Sequence, residues 1–219
     1  MNIPSAFSSP DFSSAQTGGR PAAHFERLYA ESADPWHAVD SWYEQRKRAI
    51  LLALLPKPHF SHICEPGCGN GELTLELARR CERLTASDFC DQAVQIAREK
   101  SAALAHVEIL QQSVPEQWWS GAVEHPQFDL IVLSEFCYYL TADQTTLLAA
   151  KLMDSLSPQG YLLACHWKRP FDDRLQETDA IHAALGQAPG LRQEARYEDA
   201  DFVLDLWMRA PLPAAARPS

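Results

Sequence analysis

The sequence predicts an α/β fold, a doubly wound and mostly parallel sheet of seven strands preceded by an N-terminal helical block. Three observations predict it. Short apolar runs alternate with helix-length amphipathic segments from position 62 onward. One of those runs, FDLIVLSE (128–135), is almost wholly apolar, as a strand covered on both faces must be. And the glycine-dense stretch Glu65-Pro66-Gly67-Cys68-Gly69-Asn70-Gly71 falls between a strand-like run and a helix-like one.

Each element has its own reason. Residues 1–20 are rich in Ser, Pro and Gly without a period and read as a tail, as do 210–219. Between them, 21–209 read as a single domain whose first part, 21–58, is helical. HFERLYAES (24–32) is one helix, and Asp34 before Pro35 reads as the start of the next. Trp42, Ala49, Ile50, Ala53 and Leu54 fall at helical spacing, and Pro56 and Pro58 end that helix. The alternation then runs strand HICE (62–65), helix 72–81 with Leu73, Leu77 and Cys81 on one face, and strand LTASD (84–88). Helix 90–104, strand VEIL (107–110) and the apolar strand 128–135 follow. Helix 141–157 is capped by Thr141 and stopped by Pro158 and Gly160. Strand GYLLACHW (160–167), a helix over 171–186 and a closing antiparallel pair from RQEARYED and FVLDLWMRA complete the chain.

Composition narrows the function. The chain has 219 residues, 46% hydrophobic and 22% charged, the balance of a soluble globular protein. A net charge of -10 repels a phosphate backbone, which argues against nucleic acid and against an anionic membrane as partners. Apolar stretches such as 49–56 are far short of a membrane span. The first residues have neither a basic start nor an apolar core of the kind a secretory signal needs. Six scattered cysteines read as reduced thiols of a cytoplasmic protein. Cys64 and Cys68 lack the second pair a zinc site needs, so no metal is expected.

The chemistry gathers at the carboxyl ends of the strands, where such sheets bind ligands. Glycines at 67, 69 and 71 let the backbone turn sharply and approach a ligand. A dinucleotide fingerprint needs glycine at 72, which is Glu, and no Gly-Lys-Ser follows as in a phosphate-binding loop. Glu65 suits a cation rather than a pyrophosphate. Asp88 ends the next strand, where a carboxylate can accept from both hydroxyls of a ribose. After the third strand, the Ser113 hydroxyl and nearby backbone could meet a base edge. Ser134-Glu135-Phe136-Cys137-Tyr138-Tyr139 leaves the central strand as an acid followed by aromatics. His166 ends the next strand and could remove a proton near neutral pH.

EPGCGNG with Asp88 and FDLIVLSE resembles the Rossmann-like class I S-adenosylmethionine-dependent methyltransferases. FERLYAESADPW, SWYEQRK, SVPEQW, LSEFCYYL, CHW and EDADFVLDLW together resemble the NodS-type nodulation methyltransferases, over about residues 24–208. Members of that family N-methylate the amino sugar of a chitooligosaccharide. The resemblance implies S-adenosylmethionine as cofactor and a lid over it from Trp36 to Arg46. It implies that Glu65, Gly67 and Gly69 hold the methionine part, Asp88 the ribose, and that Phe89, Ser113 and Val114 flank the adenine. Many relatives carry Asp where this chain has Ser113. Ser134 would line the methionine side.

The residues make physical sense of this. Trp36, Trp42, Tyr43, Tyr138, Tyr139 and Trp167 cluster near the strand ends, and aromatic faces attract a sulfonium. The implied reaction is direct displacement at the methyl carbon, with Glu135 holding a cationic amine or His166 acting as base. The acceptor would be a small molecule or saccharide. Segment 168–186 would shape its pocket, with Lys168, Arg169, Asp172 and Asp173 able to read a polar sugar. Two other classes stay open: a nicotinamide-dependent oxidoreductase on a similar sheet, and a non-catalytic S-adenosylmethionine-binding protein.

Overall fold

A computed structural model of the chain describes residues 20–118 and 127–210. The expected tails lie outside the described residues except for Arg20 and Ala210. The order of elements is α1 (Arg20–Glu31), α2 (Trp42–Leu54), β1 (Phe60–Pro66), α3 (Glu72–Ala78), β2 (Cys81–Asp88), α4 (Asp91–Ser101) and β3 (Val107–Gln111). Then come β4 (Phe128–Ser134), a 3-10 turn (Cys137–Tyr139), α5 (Ala142–Ser155), β5 (Leu156–Trp167), α6 (Thr178–Gly186), β6 (Leu191–Glu198) and β7 (Phe202–Arg209).

The seven strands form one sheet in the order β3-β2-β1-β4-β5-β7-β6. Strands β1 to β5 are parallel to one another, and β7 pairs antiparallel with both β5 and β6. The central strands are apolar because helices cover both faces: Leu130, Ile131, Val132 and Leu133 of β4 are fully buried. Alternate residues of β4 serve opposite faces. Leu130 and Val132 join the core beneath α2 and α3, whereas Ile131 and Leu133 join the core beneath α5 and α6. Successive strands are added outward to one side from β1 and then to the other from β4, so the parallel carboxyl ends of β1 and β4 flank the crevice that ligands use in this architecture. Among the described residues no helix is long and apolar enough to cross a membrane.

Several boundaries differ from the sequence pattern. Asp34 does start a turn, accepting from the Ala38 and Val39 backbone N–H groups at 2.8 and 3.0 Å, but the turn is not continued and α2 begins at Trp42. Helix α3 stops at Ala78, and Cys81 is the first residue of β2. A buried cysteine there satisfies a strand period as well as a helical one. Helix α5 carries the expected Thr141 cap, completed into a capping box by Gln144, but ends at Ser155. Pro158 and Gly160 fall within the irregular start of β5. Only Thr178–Gly186 of the 171–186 segment is helical. The preceding stretch is held as turns by Arg174, which donates to the Trp167 and Lys168 carbonyls and to the Thr178 hydroxyl.

Candidate active site

A cavity of about 610 Å³ opens at the carboxyl ends of β1, β2 and β4. Its floor is the turn after β1. Gly67, Gly69 and Gly71 all have positive φ, at 73°, 53° and 82°. At Gly67 a Cβ would lie 2.7 Å from the Phe136 ring, so this turn passes too close to the loop after β4 for a side chain to fit without a shift. The Gly67 and Cys68 N–H groups donate to the Ser87 carbonyl at 2.7 and 2.9 Å, which ties the turn to β2.

Two carboxylates sit in this floor. Glu65 is 2% exposed and its Oε2 has no hydrogen-bond partner. Burial pushes its pKa up to about 8. The neighbouring Thr74 hydroxyl favours the charged form without making a hydrogen bond, and Asp88 opposes it. Asp88 accepts from the Gly69 N–H on Oδ2 and the Cys90 N–H on Oδ1, both at 3.0 Å. Burial raises its pKa, and these backbone donors pull the other way. Each Asp88 oxygen keeps a further lone pair for a ligand.

Phe89, Gln112, Ser113 and Val114 line the far end of the cavity. The Gln112 Oε1 is buried there without a partner, a feature the sequence reading missed. Ser134 and Trp36 also line the cavity. Trp36 stacks between Phe25 and Tyr29 of α1, with ring centroids 5.8 and 5.9 Å away, so α1 and the Asp34 turn roof the cavity. The roof is pinned to the floor by Asn70, which donates to the Ala33 carbonyl and to Asp34, each at 3.1 Å.

Glu135 lines the cavity in a left-handed conformation, φ 62°. Its Oε1 accepts from Lys47 Nζ at 2.8 Å and the Tyr43 hydroxyl at 3.2 Å. Its Oε2 accepts from the Tyr138 hydroxyl at 2.8 Å and the Trp167 N–H at 3.0 Å. Four donors fill the four lone-pair sites of a carboxylate. Glu135 therefore anchors α2 to the strand ends, and its carboxylate is not open to an incoming amine. Lys47 is 3% exposed and bridges Glu135 to Glu44, 2.7 Å away. Burial alone would lower the Lys47 pKa, but these two carboxylates outweigh it and raise it.

Glu135 lines the cavity but is occupied, and several other expected site residues stand outside the lining: Tyr43, Tyr138 and Trp167 of the aromatic set, Lys168, Arg169, Asp172 and Asp173 of the acceptor segment, and the three that follow. His166 is fully buried and outside the cavity lining. Its Nε2 accepts from the Cys137 N–H at 3.3 Å and its Nδ1 meets His182 Nε2 at 3.0 Å, while His182 Nδ1 meets Asp205 at 2.7 Å. Because Nε2 accepts, Nδ1 carries the proton, and a neutral ring satisfies the whole chain. Burial first, then His182, Lys47 and Arg174, holds its pKa well below the ordinary histidine value. It is a structural group. Arg46 faces away from the cavity, 2.6 Å from Asp199 and bonded to the Tyr197 hydroxyl. Trp42 is 74% exposed and outside the lining, so it contributes no aromatic wall.

The sheet order, the glycine turn after β1 and the acid ending β2 make this the Rossmann-like class I methyltransferase fold. Residues 24–164 match the family model for nodulation protein S (NodS), and the chain belongs to that family. Nodulation protein S of Rhizobium tropici is 31% identical over 132 residues, covering 59% of this chain and 53% of that protein. The Bradyrhizobium diazoefficiens protein of the same name is 33% identical over 112 residues, 49% of each. The chain thus spans about half the length of the curated relatives it matches. Among solved structures, the N-methyltransferase NodS from Bradyrhizobium japonicum WM9, in complex with S-adenosyl-L-homocysteine, is 26% identical with a TM-score of 0.75. That match covers 85% of this chain and 97% of that one. A candidate methyltransferase from Pseudomonas syringae is 41% identical, TM-score 0.67, covering 77% and 100%.

Proposed function

We propose that the chain is an S-adenosylmethionine-dependent methyltransferase that N-methylates an amine-bearing small molecule, with an amino sugar or other saccharide amine as the favoured class. One observation carries the cofactor assignment. The cavity holds two buried acceptors without partners, Glu65 Oε2 at one end and Gln112 Oε1 at the other. An unpartnered buried polar atom costs roughly 1–3 kcal/mol, so each is suited to a ligand that donates to it. The methionine ammonium and the adenine amino group are two such donors.

Glu65 would take the methionine ammonium, with Gly67 and Gly69 letting the backbone close on that part. Asp88 would accept from the ribose hydroxyls. Phe89, Ser113 and Val114 would enclose the adenine beside Gln112, Ser134 would face the methionine side, and Trp36 would cover the cofactor from the roof. When bound, S-adenosylmethionine supplies an activated methyl group, leaving the protein to align the acceptor, exclude water and accept a proton. Alignment alone is worth about 7–11 kcal/mol.

Electrostatics favour a cationic acceptor. Seven carboxylates line the cavity against two cations, Lys47 and Arg48. Lys47 is already paired twice, and Arg48 donates to the Ala38 carbonyl at 2.6 Å. The test is transfer of labelled methyl to the glucosamine dimer, with its N-acetylated counterpart as control. Label on the free amine alone supports the proposal. Label on both, or on the hydroxyls, would replace N- by O-methylation. Binding of S-adenosylhomocysteine without transfer to any acceptor would favour a binding protein.

A further inference from the structure

The geometry points to Glu44, a residue with no assigned part so far, as the group that receives the acceptor's ammonium and takes its proton. The inference rests on the methyltransferase reading above and deepens it.

The cavity's carboxylates can be sorted by what already occupies them. Glu135 is saturated by four donors. Glu65, near the end of β1, and Asp88, the last residue of β2, flank the glycine turn at the proposed cofactor site. Asp34 is consumed by Ala38, Val39 and Asn70, and Glu72 accepts from Lys100 on Oε1 at 2.6 Å. Glu116 accepts from Gln144 at 2.7 Å.

Among the described residues Glu72 and Glu116 each accept on Oε1 alone, as Glu44 does, but of the three only Glu44 is tied through Lys47 to Glu135 at the end of β4. Its Oε1 accepts from Lys47 at 2.7 Å. Its Oε2 accepts no hydrogen bond among the described residues, and the nearest cation, Arg48 Nη1, stands 3.8 Å off. The side chain lines the cavity and is only 16% exposed. Its place is fixed from the sheet, because Lys47 holds Glu44 and Glu135 together and Glu135 directly follows β4. A carboxylate oxygen with spare capacity is therefore held, through Lys47 and Glu135, beside the end of β4 that borders the proposed cofactor site. Burial raises the Glu44 pKa, against the pull of Lys47, which moves it toward that of a working base.

The proton balance is simple. An amine arrives as an ammonium with no lone pair. One N–H bond breaks and its proton passes to Glu44 Oε2, giving a neutral carboxylic acid. The electron pair left on nitrogen forms the bond to the methyl carbon as the carbon–sulfur pair departs on sulfur. The product nitrogen is a methylated ammonium, and Glu44 returns its proton to water as product leaves.

The test compares wild type, E44Q and E44D, each preloaded with S-adenosylhomocysteine. Calorimetry measures binding of the glucosamine dimer against the N,N′-diacetylated dimer. Wild type should prefer the free amine by at least about tenfold, and E44Q should lose that preference while its S-adenosylhomocysteine affinity stays within about twofold. In methyl transfer, E44Q should fall by about 10²- to 10⁴-fold at pH 7. The deficit should shrink as pH rises past the acceptor's own pKa, because solvent then supplies the free amine. E44D should recover part of both. Full amine preference in E44Q, or a deficit that does not change with pH, overturns the Glu44 assignment alone. Failure of the wild type to bind S-adenosylhomocysteine overturns the cofactor reading beneath it. Binding of that ligand with no preference for the free amine overturns the ammonium assignment.

Discussion

Binding of the cofactor product should release a proton, and Glu65 is the reason. In the free protein burial holds this carboxyl near pKa 8. At pH 7 a group of that pKa is about 90% protonated. A bound ammonium against Oε2 favours the ionised form and returns the pKa to the ordinary carboxylate range or below. S-adenosylhomocysteine should therefore release about 0.9 proton per site at pH 7. Since the free protein carries the extra proton, affinity should rise with pH, about tenfold per unit between roughly pH 5 and 8, and level off above. The assay is calorimetry at one pH in buffers of different ionisation enthalpy, where the slope of observed heat reports the protons released. E65Q cannot release that proton. It should show a flat slope and at least about tenfold weaker binding. A wild-type heat independent of buffer, or an equal release from E65Q, would refute the argument.

Other outcomes follow from the same geometry. Asp88→Ala removes the acceptor for the Gly69 and Cys90 N–H groups, so it should lower S-adenosylhomocysteine affinity at least tenfold and lower the Tm. Gly67→Ala combines a positive φ with a 2.7 Å approach to Phe136 and should cost about 1–3 kcal/mol in denaturant unfolding. His166→Ala opens a gap in the buried Cys137–His166–His182–Asp205 chain and should cost about 2–4 kcal/mol, leaving turnover of the folded fraction within a few-fold of wild type. Loss of turnover with unchanged stability would restore His166 as a base. Lys47→Met strands Glu44 and Glu135 without their shared cation and should destabilise by about 3–5 kcal/mol, read by the urea midpoint.

The alternating strands and helices were readable because burial on both sheet faces writes long apolar runs, and β4 is the plainest case. Boundaries were less readable where one residue serves two patterns. Cys81 continues the Leu73–Leu77 stripe yet begins a strand, and Asp34-Pro35 carries a start signal that the chain uses for one turn only. The cavity floor was legible because the glycine spacing and the acids at 65 and 88 are local features. The Glu44–Lys47–Glu135 side of the cavity was not. The bond between Lys47 and Glu135 joins residues 88 apart, and Glu44 with Lys47 reads locally as part of the polar run EQRKR on a solvated helix face. His166 misled for a related reason. A histidine at a strand end looks poised for chemistry, but here the sheet turns it into the core, where His182 and Asp205 meet it.

The most direct test of the central claim is a titration of the purified chain with S-adenosylhomocysteine, beside NADH. The account predicts saturable one-site binding of the first, weakened at least tenfold in Asp88→Ala, and none of the second. Binding of NADH in its place, or S-adenosylhomocysteine binding untouched by Asp88→Ala, would contradict it.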